Sequence, residues 1–416
     1  MRFTQFFIRT QKEWPRDEES ANARFLHRGG FIEKIGAGVY AFLPLGLRVL
    51  DRINRVIREE MNAIGASELL LPALIPKKYW EATGRWNVPV LYKSADSSGQ
   101  EYGLGFTHEE VLTPILARRI QSFRDLPQAL YQIQTKFRDE PRARFGLIRG
   151  KEFVMKDLYS FHADIKDLER FYWVVSDAYK KIFSRLGLPV TVVEAAGGDF
   201  TKEFTHEFQV LTPVGEDTIF YCAKCDFAQN KEVAKVSSGD GCPKCQKGKI
   251  EESNGIEVGN IFRLGTKFSE AANLVYKDSS GKEQLVVMGS YGIGPSRAMG
   301  AIVELNHDDA GIRWPKEAAP FEAHLVALPG GEEQADAAYE HFTEHGFDIL
   351  YDDRADATPG EKLADADLIG IGWRIVASAK TALCGRLEIK ARDSRDAELL
   401  TPAESADRIR TSFHVR

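Results

Sequence analysis

The sequence predicts an α/β protein. An α+β domain on a mainly antiparallel sheet carries a small cysteine ribbon, and a C-terminal α/β module follows. Three observations predict this. First, Leu130–Arg138 and Lys151–Phe161 are extended runs around a polar, arginine-rich turn. In the second run Phe153, Met155, Asp157, Tyr159 and Phe161 alternate with Val154, Lys156 and Leu158, which is the period of a strand, so the pair reads as an antiparallel hairpin. Second, four cysteines form two knuckles, Cys222-x-x-Cys225 and Cys242-x-x-Cys245, sixteen residues apart. Third, beyond Trp314-Pro315 and Ala319-Pro320 the pattern becomes strand–helix–strand.

The chain of 416 residues has room for several domains, here 1–316 with the ribbon at 218–252, then 317–416. No run approaches a membrane span, and the N-terminus lacks the apolar stretch of a signal peptide, which suits a cytoplasmic protein with no membrane partner. Net charge is −6, not the footprint of a protein that coats nucleic acid nonspecifically. Glu317–Arg416 holds 20 acidic and 11 basic residues, a net −9 that leaves +3 elsewhere, so any RNA contact in the tail needs a local patch.

Taken in order, a helix is predicted over Ser20–Phe31. A second follows from Leu47, Leu50, Ile53, Ile57, Met61 and Ile64, spaced by three or four, with Gly65 placed to end it and a short strand at Glu68–Leu71. Thr107-His108-Glu109-Glu110 opens a helix reaching about Ser122, with Thr107 as N-cap and Glu110 completing a capping box. After the hairpin come a helix over Ile165–Leu186, closed by Gly187 and Pro189, and a strand at Val190–Glu194.

The cysteine quartet is the strongest local signal. Each knuckle presents two thiolates to one ion, and two knuckles make a closed tetrahedral site that suits structural Zn²⁺. Lys224 and Lys244 are placed to offset thiolate charge, and Ser-Ser-Gly-Asp-Gly lets the chain turn back. Cys384, in the apolar run TALCG, reads as core. Glu257 is either a Mg²⁺ ligand or a solvated strand residue. Gly289–Arg297 is a glycine-rich turn feeding a helix, Ala298–Glu304. It lacks the Gly-Lys-Ser/Thr of a P-loop, and Arg297 stands where a dinucleotide fingerprint needs glycine. What remains is a backbone platform open to close approach, then one arginine. Tail strands HLVALP, FDILYDD and RIVAS alternate with helices at Glu332–His345 and Gly360–Ile369, predicting a mostly parallel sheet.

Arg138-Asp139-Glu140, the loop and Arg149-x-x-x-Phe153 resemble motif 2 of class II aminoacyl-tRNA synthetases, and TKFRDE, RFG, EF and MKD.YSFH resemble the bacterial-type prolyl enzymes. The helix and strand of Leu45–Pro76 then resemble motif 1, implying a homodimer, and Gly289–Arg297 resembles motif 3, with Pro295 unusual but suited to a first helical turn. The resemblance implies activation of proline by ATP with Mg²⁺ and transfer to tRNA(Pro). Arg138 would bridge carboxylate and α-phosphate, Arg149 and Arg297 would hold the outer phosphates, Phe153 would stack on adenine, and Glu140, Gly292 and Gly294 would complete the nucleotide site. Thr107, Glu109, His206 and Ser290 would bind proline, and Arg142 and Arg144 the tRNA acceptor end. DDR…PGEKLADADLIGIGWRIV resembles the anticodon-binding domain of the prolyl, threonyl, glycyl and histidyl enzymes, with Arg354 and Lys362 as candidate RNA contacts.

One departure is large. Many bacterial prolyl enzymes carry an editing domain between motifs 2 and 3, whereas only 84 positions separate His206 from Ser290 here, so editing in cis is not expected. Two rivals remain. A non-catalytic paralogue would show erosion of the motif arginines, and none is missing. A threonyl-type ligase would hold zinc in its amino-acid pocket, and these cysteines cluster in the insert.

Overall fold

The computed structural model describes residues 1–15, 18–198, 200–201 and 203–414. Packing divides the chain into two units. One comprises residues 1–36, 40–53 and 302–416, the other residues 37–39 and 54–301.

The second unit is built on a nine-stranded sheet: β1 Ser67–Glu68, β2 Gln128–Phe137, β3 Glu152–His162, β4 Val190–Ala195, β5 Thr205–Leu211, β6 Asp217–Cys222, β7 Ala228–Asn230, β8 Ile250–Gly265 and β9 Val287–Ile293. The predicted hairpin is β2–β3, in register from Gln128↔Phe161 to Phe137↔Glu152. β3 then pairs with β9, and β9 with the C-terminal part of β8. The middle of β8 pairs with β5 and its start with β6, all antiparallel. β1 is two residues long, shorter than the predicted Glu68–Leu71, and lies parallel to β2.

Alternation along these strands sends side chains to two faces. On one face α3, Ile165–Arg185, buries Tyr172, Val175, Tyr179, Ile182 and Phe183, and the Tyr179 ring lies 5.1 Å from Phe208 of β5. On the other, Trp80, Phe106, Leu112, Tyr159, Phe161, Phe268 and Met288 form a second core. Burying side chains of this size contributes roughly 1.5–3 kcal/mol each.

The predicted helix after residue 44 is α1, Pro44–Ala63. Leu50, Ile53, Ile57 and Met61 are buried, Leu47 is half exposed, and Gly65 follows at φ +83. Helix α2 is Glu109–Ala117, shorter than expected. Its N-cap is His108, with no side-chain cap bond, so the predicted Thr107–Glu110 capping box does not form. The Thr107 hydroxyl instead bonds Glu109 and lies 3.3 Å from the Tyr159 hydroxyl, and the Glu110 carboxylate takes Arg85 and Thr83. The motif 3 helix is α4, Pro295–Leu305, with proline in its first turn as expected.

In the first unit a five-stranded sheet runs Ile349–Asp352, Ala323–Ala327, Trp373–Ala377, Leu387–Ala391, Glu398–Leu400. The three predicted strands are mutually parallel, as expected, and two further strands, Leu387–Ala391 and Glu398–Leu400, add antiparallel pairings at one side. Cys384 is exposed, not core. It ends a short helix, Ala379–Cys384, whose Leu383 is also exposed, so the apolar run does not mark burial.

Candidate active site

Three arginines distant in sequence line one cavity of about 260 Å³. Arg138 ends β2, Arg149 leaves the hairpin turn, and Arg297 sits in the first turn of α4. Glu140, Phe153, Glu216, Asp217 and Glu257 complete much of its wall. Arg138 lies with its guanidinium carbon 5.1 Å from the Phe153 ring centroid. That guanidinium makes no ion pair or hydrogen bond with any described residue. Burial first, and Arg297 second, push its pKa down to about 10, still far above neutral pH. A half-buried cation without a counter-ion is a receptor for an anion.

The other two arginines are already engaged. Arg297 donates to the Glu257 carbonyl at 2.7 Å and its carboxylate at 3.0 Å. Arg149 is held by Glu140 at 2.9 Å and Glu216 at 2.6 Å. Burial opposes its charge, but these two carboxylates outweigh it and hold the pKa above the ordinary value. Gly292 and Gly294 lie where β9 runs into α4 and line the adjoining space with Arg138 and Met155. A Cβ on Gly292 would stand 2.8 Å from Asn260 Oδ1, so a larger residue there would displace the Asn260 side chain.

A second cluster centres on Glu109. Its Oε1 accepts from Ser290 Oγ at 3.1 Å, and the Thr107 hydroxyl donates to Oε2. Arg85 joins Glu109 at 3.3 Å and Glu110 at 2.9 Å, all three buried, and Thr83 donates to Glu110 at 3.1 Å. Beneath lies a polar network. Tyr159 donates to Asp157 at 2.8 Å and accepts from the His108 backbone N–H at 2.8 Å. Lys136 meets Asp157 at 2.8 Å and His108 Nδ1 at 2.8 Å, and Gln132 donates to Asp157 at 2.9 Å. Burial and then Lys136 push the His108 pKa down to about 4, so its ring is neutral and can accept from the lysine. This satisfied network fixes the loop that carries Thr107 and Glu109.

His206 is not brought to that cluster. It stands opposite Ile261, which stands opposite Tyr291, whereas Ser290 is opposite Phe262 and Tyr159. Directly opposed residues share a face and consecutive ones alternate. His206 therefore points with Tyr291 toward α3, where its Nδ1 lies 2.7 Å from the Tyr172 hydroxyl and its ring packs on Trp173. Its neighbours Glu207 and Gln209 occupy the Ser290 face. Gln209 bonds Glu207 and Asp217, and Glu207 is pushed up to about 8 by burial and by Glu257.

The four predicted ligands Cys222, Cys225, Cys242 and Cys245 place their sulfurs within 4.8 Å of one another, and none is in a disulfide. Backbone N–H groups of Lys224 and Cys245 point at Cys222 and Cys242 sulfurs, 3.4 and 3.5 Å away. Four converging thiols with amide donors to sulfur fit a tetrahedral zinc ion. Lys244 pairs with Asp226 at 2.8 Å and also feels the charge of Cys225, which acts with Asp226 to hold its pKa above the ordinary value. Among the described residues, the apolar cluster around the quartet consists of Ile250, Phe220, Phe227 and Val236, a core too small to hold the ribbon alone.

Of the loop arginines, Arg142 is exposed and Arg144 reaches Glu216 at 2.8 Å. In the other unit Arg354 is paired with Asp352 at 2.6 Å and Asp365 at 2.9 Å, and Lys362 is buried with its ammonium on the Ala327 carbonyl at 2.7 Å. Both brace their own module and present no free cation to an RNA. Sequence reading missed Arg85, the Lys136–Asp157 pair and Glu216. A charged Asp157 on a strand face otherwise made of Phe153, Met155, Tyr159 and Phe161 was the available signal for the second.

Residues 92–306 match the tRNA synthetase class II core domain (G, H, P, S and T), and residues 323–412 match an anticodon binding domain. The chain is thus a class II aminoacyl-tRNA synthetase in its fold and in its core family. The proline–tRNA ligase of Geotalea daltonii is 34% identical over 568 aligned positions covering 100% of both chains, and that of Persephonella marina is 35% identical over 94% of this chain and 96% of its own. The chain belongs to the proline–tRNA ligase family. An alignment of 568 positions against 416 residues means that the Geotalea relative carries segments absent here. The prolyl-tRNA synthetase of Cryptosporidium parvum complexed with halofuginone and AMPPNP shares the fold, with a TM-score of 0.78 at 17% identity over 94% of this chain and 76% of that one.

Proposed function

We infer that this protein is a proline–tRNA ligase. A proline carboxylate oxygen attacks the α-phosphorus of ATP, the bond to the β-phosphate oxygen breaks, and pyrophosphate leaves with the electron pair. A terminal ribose hydroxyl of tRNA(Pro) then takes the prolyl group and AMP departs. The first step brings two anions together, so charge compensation and in-line positioning supply most of the acceleration. The observation that carries this reading is the shared cavity of Arg138, Arg149 and Arg297.

In this reading Arg138 neutralises the meeting carboxylate and α-phosphate, Arg149 and Arg297 hold the outer phosphates, and Phe153 stacks on the base. Glu140 and the open backbone at Gly292 and Gly294 complete the nucleotide site. Glu109, with Thr107 and Ser290, takes the secondary ammonium of proline, and Arg85 holds Glu109 in place; His206 is left out. Mg²⁺ accompanies the triphosphate. Glu257 and Asp217 are the carboxylates that would hold it, since both line the cavity. Zn²⁺ in the ribbon is structural, with no open coordination position. Arg142 and Arg144 face the acceptor end of tRNA. A homodimer across α1 and its following strand completes the assembly. Among the described residues no helix is long and apolar enough to cross a membrane.

Pyrophosphate exchange run across the twenty amino acids tests the reading. Exchange with proline alone at high kcat/KM is expected. Exchange with threonine, or none with any amino acid, overturns it and would favour the sister ligase or the non-catalytic paralogue.

A further inference from the structure

Glu216 is the residue immediately before β6, the strand that enters the cysteine ribbon. Its Oε2 takes Arg149 at 2.6 Å and its Oε1 takes Arg144 at 2.8 Å, so one carboxylate clamps the middle of the motif 2 loop to its C-terminal end. Its backbone is pinned, because a Cβ on the preceding Gly215 would stand 2.3 Å from the Gly255 backbone. Arg149 spends NH1 on Glu216 and NH2 on Glu140, while Arg138 across the same cavity has no partner among the described residues. Of the three arginines lining the cavity, Arg138 therefore awaits an anion, Arg297 is held by Glu257 and Arg149 is already satisfied by two carboxylates.

We propose that Glu216 is a positioning residue that stands in for a nucleotide phosphate on Arg149 and is exchanged for it when ATP binds. The inference rests on the ligase reading. Without nucleotide, Glu216 holds Arg149 in its binding orientation. With nucleotide, a phosphate oxygen takes the NH1 donor, and Glu216 keeps Arg144, which anchors the loop to the base of the ribbon. A charge-assisted bond exchanged for another of the same kind changes affinity modestly, not by orders of magnitude. The ribbon base thereby sets the nucleotide affinity without touching proline.

The test is the KM for ATP and for proline in pyrophosphate exchange, with equilibrium ATP binding measured by titration calorimetry on the full chain. Glu216→Gln removes the competing charge and keeps the shape. Its KM and Kd for ATP should fall about three- to tenfold, while the KM for proline stays within twofold. Glu216→Asp keeps the charge but withdraws the carboxylate from Arg149, and should lower the ATP values as well. An ATP KM and Kd that rise or stay unchanged in both variants overturn the proposal, because a merely structural clamp would weaken ATP binding when cut. Wild-type protein that shows no proline-dependent exchange defeats the ligase reading instead, and the two ATP affinities still decide the role of Glu216.

Discussion

Ser290 donates to Glu109 at 3.1 Å across 181 residues of sequence, joining the motif 3 strand to the loop that opens α2. In the ligase reading, the bond couples the proposed proline site to the proposed nucleotide site. β9 continues two residues past Ser290 to Gly292, on the wall of the nucleotide space. Glu109 is buried, and its charge is answered by Arg85 with hydroxyls from Thr107 and Ser290.

Glu109→Gln should raise the KM for proline about 10- to 100-fold, the loss of a charge-assisted bond to a buried ammonium at about 1.5–3 kcal/mol. The KM for ATP should move little. The two KM values from pyrophosphate exchange check this, and a variant that raises both equally would show that Glu109 supports the fold rather than the amino acid.

Arg138→Ala should reduce exchange by at least about 100-fold, as removal of one preorganised donor to developing charge does. It should not destabilise the protein. Arg138 has no ion pair to lose, and its removal relieves repulsion from Arg297, which helps hold its pKa down. Thermal unfolding of the variant at or above the wild-type midpoint, with exchange abolished, is the expected pair of results. Retained exchange removes Arg138 from the mechanism.

How far the sequence reaches can be judged from these residues. Strand alternation and a glycine turn before a helix are local patterns and located the elements that carry Arg138, Phe153 and Arg297. Only the resemblance to motifs 2 and 3 assigned these residues to one site. Arg85 was not legible, because nothing near it in sequence hints that it closes a salt bridge with residues 24 and 25 positions away. The capping box was misread for a related reason. Thr107-x-x-Glu110 satisfies the pattern, but the Thr107 hydroxyl bonds Glu109 and the Glu110 carboxylate takes Arg85 and Thr83 instead. His206 was misplaced because a one-residue step along a strand reverses the face. That choice depends on register, which the string HEFQVL does not encode by itself.

Stability should fall in mild acid through His324. Its ring is buried, both nitrogens lack a partner, and it stacks on Phe3 with Asp352, Arg354 and Arg374 acting on its charge. Burial pushes its pKa down to about 4 from 6.5. The folded state therefore binds fewer protons than the unfolded one between those values. The contribution is complete above pH 6.5 and is lost as pH falls toward 4, amounting to up to about 3 kcal/mol. His324→Phe should flatten that part of the slope. Urea unfolding from pH 4 to 7 measures it, and identical slopes in variant and wild type would refute the assignment.

Metal analysis should find one zinc per chain. Cys222→Ser or Cys242→Ser should lose it, because a closed site with one thiolate missing binds far more weakly. The ribbon core of Ile250, Phe220, Phe227 and Val236 cannot stand without the ion, so tryptic cleavage within 222–250 should follow metal loss. Zinc retained at full occupancy in both variants would remove the ribbon assignment.

Alanine should be activated and kept. A pocket shaped for proline rejects a smaller ligand only through lost burial, about 1–3 kcal/mol, so kcat/KM for alanine should be about 10- to 200-fold below that for proline. Only 84 positions separate His206 from Ser290, too few for an editing domain of the kind many bacterial prolyl enzymes carry there. Alanyl-tRNA(Pro) made by this protein should therefore accumulate and lose its amino acid at the rate of free solution, with or without the protein. Release accelerated by the wild-type chain would mean that a hydrolytic centre exists in it, whereas proline/alanine selectivity above about 1,000-fold would mean that the pocket discriminates by more than burial.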